Sequence, residues 1–433
     1  AAALGMRQHT KMPFATQAAG GCAALLTLAA CTGSADVSSD NDLALGTPVP
    51  VESPALDTAV LTRSTPHLTL DTSGGVWLSW TERITDSTVR VRVARHDGTR
   101  WDSVRTAAAA RPLFVNWADF PSVLALPNGD LVTHWLEREG SGKYAYGVRV
   151  SRSRDDGRSW SVPVSPHTDG LEAEHGFVSM WAEGATDVGL VWLDGRKSAM
   201  PDSAREMTIR SAVLGADGQL RDEALLDARA CDCCQTGTAL TGDGRVVVYR
   251  DRTAEEIRDI AISRRTSSGW SAPQIVHPDQ WHYAGCPVNG PQAASRGDTV
   301  VVAWFAAPND SARVRVVRSV DGGRTFGEPV RVDEGNPMGR VDVELDPDGQ
   351  PIVSWLEQRT ADSSDVLVRR VRFSESGAMA SASMAVASTS SARQSGFPRL
   401  VATRNGLLAA WTTVKPSLRI QLARIPYTSQ NSR

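Results

Sequence analysis

The side chains with the most chemical potential are four cysteines, Cys231, Cys233, Cys234 and Cys286, gathered in two short segments of a 433-residue chain. The other two cysteines, Cys22 and Cys31, lie near the start. His282 sits beside Cys286, and His175 falls in the preceding histidine- and acid-rich segment. Thiolates with imidazoles would suit Cu(I) or Zn(II). In an oxidising compartment the same four sulfurs would instead close two disulfides. Adjacent Cys233 and Cys234 could also act as a reactive vicinal pair. The Cys-x-Cys-Cys spacing is not a zinc-ribbon pattern, so all three readings stand. Around the cysteines lie Asp232, Gln235, Arg250, Asp251, Arg252, Trp281, Asn289 and, from a more distant segment, Arg340. These polar and aromatic groups could bind a ligand, with Asp251 and Tyr283 as the catalytic candidates.

A repeat must bring these segments together. Seven strand-like runs share an aromatic anchor: Trp80, Trp135, Trp192, Tyr249, Trp304, Trp355 and Trp411. Their spacings are 55, 57, 57, 55, 51 and 56 residues, a period that marks a repeat architecture. Runs before each anchor are joined to it by turns such as Pro127-Asn128-Gly129 and Pro347-Asp348-Gly349, which signal hairpins. Third and fourth strand-like runs follow, the fourth including Val104–Ala107 and Val162–Val164. The seventh copy lacks a fourth run, and Thr58–Thr62 offers one from the N-terminal side. The prediction is an all-β, seven-bladed propeller closed by an N-terminal strand, which removes the sheet edges. A six-bladed propeller with one irregular copy is the alternative.

In such a ring, the loops between blades and the second-to-third-strand loops share one face. The cysteine segments, His167, Glu172, Glu174 and His175 are all expected there, with Asn116, Trp117, Asp119 and Asn336. Glu82, Glu137, Asp194, Asp251 and Glu357 each stand two residues after an anchor and should ring the same face, bonded to loop amides or, as the functional reading, contacting a ligand or cation. The fourth copy is the outlier, because Tyr249 replaces Trp and Arg250 and Arg252 flank Asp251. Trp117, Trp281 and Tyr283 could stack on a sugar ring.

The opposite face carries a distinctive turn. Ser153, Asp155, Gly157 and Trp160 recur as Ser319, Asp321, Gly323 and Phe326. The carboxylate can accept turn amides, glycine permits positive φ, and the aromatic packs beneath. This pattern resembles the Asp box, or bacterial neuraminidase repeat, of the sialidase superfamily. The resemblance implies a sialidase-like propeller and, if the chain is an enzyme, an exo-acting sialidase-type glycoside hydrolase. Fold alone does not establish that activity. The family's arginine motif is matched poorly by Arg63-Ser64-Thr65-Pro66, and no tyrosine sits in a recognisable nucleophile motif.

Residues 1–30 read as an export signal, with Arg7 and Lys11 before a short apolar stretch and residues 1–5 upstream of a plausible start at Met6. Leu28-Ala29-Ala30-Cys31 resembles the bacterial lipobox, which implies lipidation at Cys31 and attachment to the cell envelope, periplasmic or at the cell surface. Residues 31–55 read as a flexible tether, 56–427 as the propeller and 428–433 as a tail. A net charge of −3 without a basic run gives no footprint for nucleic acid. The expectation is a monomeric, membrane-tethered protein with a glycan or an envelope protein as ligand, or as an alternative a structural interaction scaffold.

Overall fold

The computed structural model describes residues 44–54, 60–109, 112–199 and 206–428. The expected signal, Cys31 and much of the tether lie outside them. No helix among the described residues is long and apolar enough to cross a membrane.

The described chain forms seven antiparallel sheets. Blade 1 runs Thr62–Leu70, Val76–Arg83, Val89–His96 and Arg105–Ala108, each strand paired to the next. Blades 3, 4, 5 and 6 begin with inner strands His175–Glu183, Gly237–Thr241, Gln292–Arg296 and Pro337–Leu345. Blade 2 has three strands, from Ser122–Ala125 to Tyr146–Ser153. Its expected fourth strand at Val162–Val164 is reduced to one bridge between Val164 and Val150.

The second strands are buried almost throughout; all seven residues from Pro351 to Glu357 are buried. The cause is that each sheet is covered on both sides by neighbouring blades, while side chains alternate between the two faces. In blade 1, Leu78 and Trp80 face blade 7, whereas Trp77 faces blade 2. One apolar cluster fills each of the seven interfaces between neighbouring blades. The cluster joining blade 7 to blade 1 shows that the ring is closed and seven-bladed.

Closure differs from expectation in one detail. The outer strand of blade 7 is Val49–Val51, paired with Arg419–Pro426, and not Thr58–Thr62. Thr62 opens the inner strand of blade 1, and residues 55–59 are outside the described set. The propeller therefore extends into the segment expected to be tether. Inner strands enclose a central cavity of about 200 Å³, lined in part by His67, Ser122, Thr236, Gln292, Glu344 and Arg399.

The turns on the face away from the cysteines fold by one local rule. Ser153 Oγ donates to Asp155 and accepts the Gly157 amide at 2.7 Å, and Asp155 accepts the Ser159 amide and hydroxyl. Ser319, Asp321, Gly323 and Thr325 repeat that network. Gly157 and Gly323 take φ of +80° and +79°, values open to glycine at little cost. The Trp160 indole closes its turn by donating to the Gly157 carbonyl.

Candidate functional site

The acids after the anchors serve the fold first. Trp80 donates its indole N–H to Glu82, Trp135 to Glu137, Trp192 to Asp194 and Trp355 to Glu357, at 2.6 to 3.1 Å. A buried indole requires an acceptor, and a residue two places along a strand points to the same face. Arginines neutralise several of these acids: Arg92 lies 3.3 Å from Glu82, Arg149 3.2 Å from Glu137 and Arg196 2.7 Å from Asp194. The expected bonds to loop amides are found only in part, as where Glu357 accepts the Asn336 amide at 2.6 Å.

Blades 4 and 5 solve the same problem differently. The Tyr249 hydroxyl reaches Asp227 at 2.7 Å, and Trp304 donates to Asp279 at 2.6 Å. In blade 5 the place two residues after the anchor is Ala306. In blade 4 Asp251 remains, half-buried, with its carboxylate released from the anchor. Burial, reinforced by Asp227 and Asp259, pushes that carboxyl up to about 6.

Beside Asp251, Arg252 makes a two-pronged pair with Glu256 and reaches Asp232 at 3.1 Å. Tyr283 is 41% exposed and lies against Trp281 at 5.4 Å between ring centres. Trp281 itself is buried, with the Arg250 guanidinium over its face and Phe305 at its edge. Trp117 is partly buried, between Arg340 and Phe397. Of the three aromatics expected to meet a sugar, Tyr283 presents the most open ring.

Other expected ligand contacts are committed to the fold. Arg250 is buried and donates to the carbonyls of Asn289, Arg258 and Phe305. Gln235 ties the Ala118 carbonyl to the Gly290 amide. Asn289 accepts the Arg340 amide, and the Arg340 guanidinium donates to Ser395, Ala392 and Gly396. Polar residues at a crowded ring centre are needed to satisfy loop backbone that no sheet partner can reach.

The cysteines divide into two pairs. Cys233 and Cys286 form a disulfide that joins the loop before blade 4 to the loop before blade 5. Cys231 and Cys234 are free and buried, with their sulfurs 2.6 Å apart. His282 is exposed and stands apart from the sulfur cluster, pairing through its backbone with Ile257. His175 is buried at a second cluster, where its Nε2 lies 3.0 Å from Asp169 and its ring stacks on His167 at 3.8 Å. The His167 Nε2 accepts the Val148 amide, so the neutral ring carries its proton on Nδ1. The Nδ1 of His175 has no hydrogen-bond partner among the described residues.

One grouping has no signal in local spacing. Tyr146 donates to Glu174 at 2.5 Å, and Asp119 lies against both through its charge and hydrogen-bonding environment. Burial raises Asp119 to about 8 and Glu174 to about 7, against the opposing Phe177 amide and Tyr146 hydroxyl. Gly176 makes room, since a Cβ there would sit 2.0 Å from the Asp119 carboxylate. Only that glycine, next to an acid and a histidine, hints in sequence at such close packing. Tyr146 and Asp119 are buried, and Glu174 is the member reached by solvent.

No family model matches the chain, and no curated protein resembles it in sequence. Solved structures do match. A Dyadobacter fermentans protein of unknown function superposes with a TM-score of 0.52 at 12% identity, over 89% of this chain and 100% of that one. A Penicillium chrysogenum α-L-arabinanase gives 0.47 at 12% identity over 89% and 98%, and the NanB sialidase of Streptococcus pneumoniae 0.45 at 11% over 88% and 71%. At such identities the likeness speaks to the propeller fold, and the site must be argued from its own residues.

Proposed function

We propose that this chain is an exported, lipid-anchored envelope protein whose propeller binds a glycan on the cysteine-bearing face, at the corner formed by blade 4. The observation that carries this reading is the release of Asp251 from the duty its counterparts perform. A half-buried carboxyl that holds no anchor and accepts only the neighbouring Arg252 amide keeps lone pairs for sugar hydroxyls, and Tyr283 supplies an exposed ring for stacking. Asp232 and Arg252 extend the polar surface. The test is binding of a panel of neutral and acidic oligosaccharides to the full chain carrying Cys31→Ser. Asp251→Asn and Tyr283→Ala are each expected to weaken binding about tenfold, the equivalent of about 1.4 kcal/mol. Binding unchanged in both variants would remove this reading.

A second reading, glycoside hydrolysis, is favoured by Tyr146, Glu174 and Asp119. A carboxylic acid held protonated near neutral pH can protonate a leaving group, and Glu174 is the accessible one. Release of fluorophore from sialosides or other glycosides, lost in Glu174→Gln and retained in Asp251→Asn, would support it. No release of fluorophore between pH 5 and 8 would exclude it for those substrates.

A further inference from the structure

The disulfide and the free thiols are not independent. Ala230 ends the outer strand of blade 3, and the chain turns immediately through Cys231-Asp232-Cys233-Cys234. Positions i and i+3 of a turn lie close together, which brings Cys231 and Cys234 to 2.6 Å between sulfurs. The Cys231 sulfur is also 4.0 Å from that of Cys233, which is bonded to Cys286. Cys231 is held in place by its amide, which donates to the Arg250 carbonyl at 3.0 Å. The inner pair is buried, whereas Cys286 is exposed.

We propose that these four cysteines form an intramolecular thiol–disulfide exchange relay, which moves one disulfide between the exposed Cys233–Cys286 position and the buried Cys231–Cys234 position. In the first step the Cys231 sulfur attacks the Cys233 sulfur as the Cys234 thiolate takes the Cys231 proton. The Cys231–Cys233 bond forms, the Cys233–Cys286 bond breaks, and Cys286 leaves as a thiolate. In the second step Cys234 gives up that proton, which ends on Cys286, and its thiolate attacks the Cys231 sulfur, and Cys233 leaves as a thiolate. The one proton and one negative charge of the inner pair thus pass to Cys286 and Cys233. One disulfide and two thiols are present before and after, so no outside oxidant or reductant enters.

The surroundings favour the thiolate such exchange requires. Arg250 is buried beside the pair and spends its hydrogen bonds on carbonyls, and its charge reaches Cys234. The neighbouring Cys231 thiol hydrogen-bonds to Cys234, and with Arg250 it draws the Cys234 thiol down to about 7. Burial holds the Cys231 thiol up, so the inner pair retains one proton and gives up the other. The consequence is mechanical: in the outer position the disulfide ties the loop bearing Trp281, Tyr283 and Asn289 to blade 4, and in the inner position that loop is untied. The relay stands on the sulfurs alone and does not depend on what the face binds.

The test uses the exported protein purified without reductant. Samples held between pH 6 and 9 are quenched with an alkylating agent under denaturing conditions and digested, and their disulfides are mapped by mass spectrometry. The expected result is two coexisting isomers, one with Cys231–Cys234 bridged and Cys233 and Cys286 alkylated, approaching equilibrium faster as pH rises. Cys231→Ser should abolish interconversion. Cys234→Ser, which removes the second attack, should accumulate the Cys231–Cys233 bridge with Cys286 free. A single Cys233–Cys286 isomer at every pH, both bridges in one molecule with no free thiol, or a folded Cys234→Ser variant without the Cys231–Cys233 bridge would each overturn the proposal.

Discussion

A buried indole N–H without an acceptor costs about 1–3 kcal/mol, and that cost explains most of the acids on the cysteine-bearing face. Glu357 accepts from Trp355 and also from the Asn336 and Glu334 amides, so Glu357→Ala strands three donors and should cost about 3 kcal/mol, read by chemical denaturation. Asp251→Asn breaks no such bond and should change stability by about 0.5 kcal/mol or less. A second residue-scale consequence concerns pH. Asp119 and Glu344 are both raised to about 8, chiefly by burial, above an unfolded value of about 4. The folded state therefore holds protons that the unfolded state gives up. Their contribution to stability is fully present below about pH 4 and is lost as pH rises from there through 8. Asp119→Asn should flatten that decline in a thermal-melt series from pH 4 to 8; an unchanged slope would show that Asp119 is not held protonated. That the acids stand on one face beside their anchors was legible in the sequence, because residues two apart on a strand share a face. That four of them accept the anchor indole was not, nor that Tyr249 and Trp304 turn to other acids and the Trp411 indole finds no partner among the described residues. The grouping of Tyr146, Glu174 and Asp119 was not, since it is assembled from separate loops by packing around Gly176.

At the scale of elements, turns and strand ends set what the loops can do. Gly323 and Gly349 have nearly the same positive φ, +79° and +75°, but a Cβ at Gly323 would meet Ile262 at 3.0 Å whereas one at Gly349 meets nothing within 4 Å. Both alanine variants pay the left-handed strain of about 1 kcal/mol, and Gly323→Ala should cost about 1 kcal/mol more for the collision. Equal melting temperatures for the two would contradict the packing described for that turn. These glycine-bearing turns were plain in the sequence, because φ and hydrogen bonding there are local. The fourth strand of blade 2 was not: Val162 is 86% exposed, and apolar composition alone gave it a strand-like look. The closing strand escaped notice for the opposite reason, as Val49-Pro50-Val51 is too short to show a period.

For the whole molecule, the ring is the unit of stability, because every blade depends on two neighbours for its apolar faces. Deleting the chain through Glu52 would remove the strand paired with Arg419–Pro426 and expose that edge. Such a truncation should melt at lower temperature and aggregate on size exclusion; an elution peak and melt like those of the parent would mean that closure does not rely on Val49–Val51. The repeat made the ring and its two faces readable from sequence, down to the blade in which Tyr249 replaces Trp. It did not reveal how Arg250, Gln235, Asn289 and Arg340 are used, since central loops recruit polar side chains to satisfy backbone that only the closed ring brings together.

The fold engages Glu357 through its anchor and two loop amides, whereas it asks no anchor bond of Asp251, the carboxyl proposed to meet a ligand. The direct measurement is a paired comparison of Asp251→Asn and Glu357→Gln for melting temperature and for oligosaccharide binding by the same protein. The account predicts that Asp251→Asn melts like the parent and loses about tenfold in affinity, while Glu357→Gln melts lower and any properly folded fraction binds as before. A melting loss in Asp251→Asn as large as that in Glu357→Gln, with binding unchanged, would contradict it.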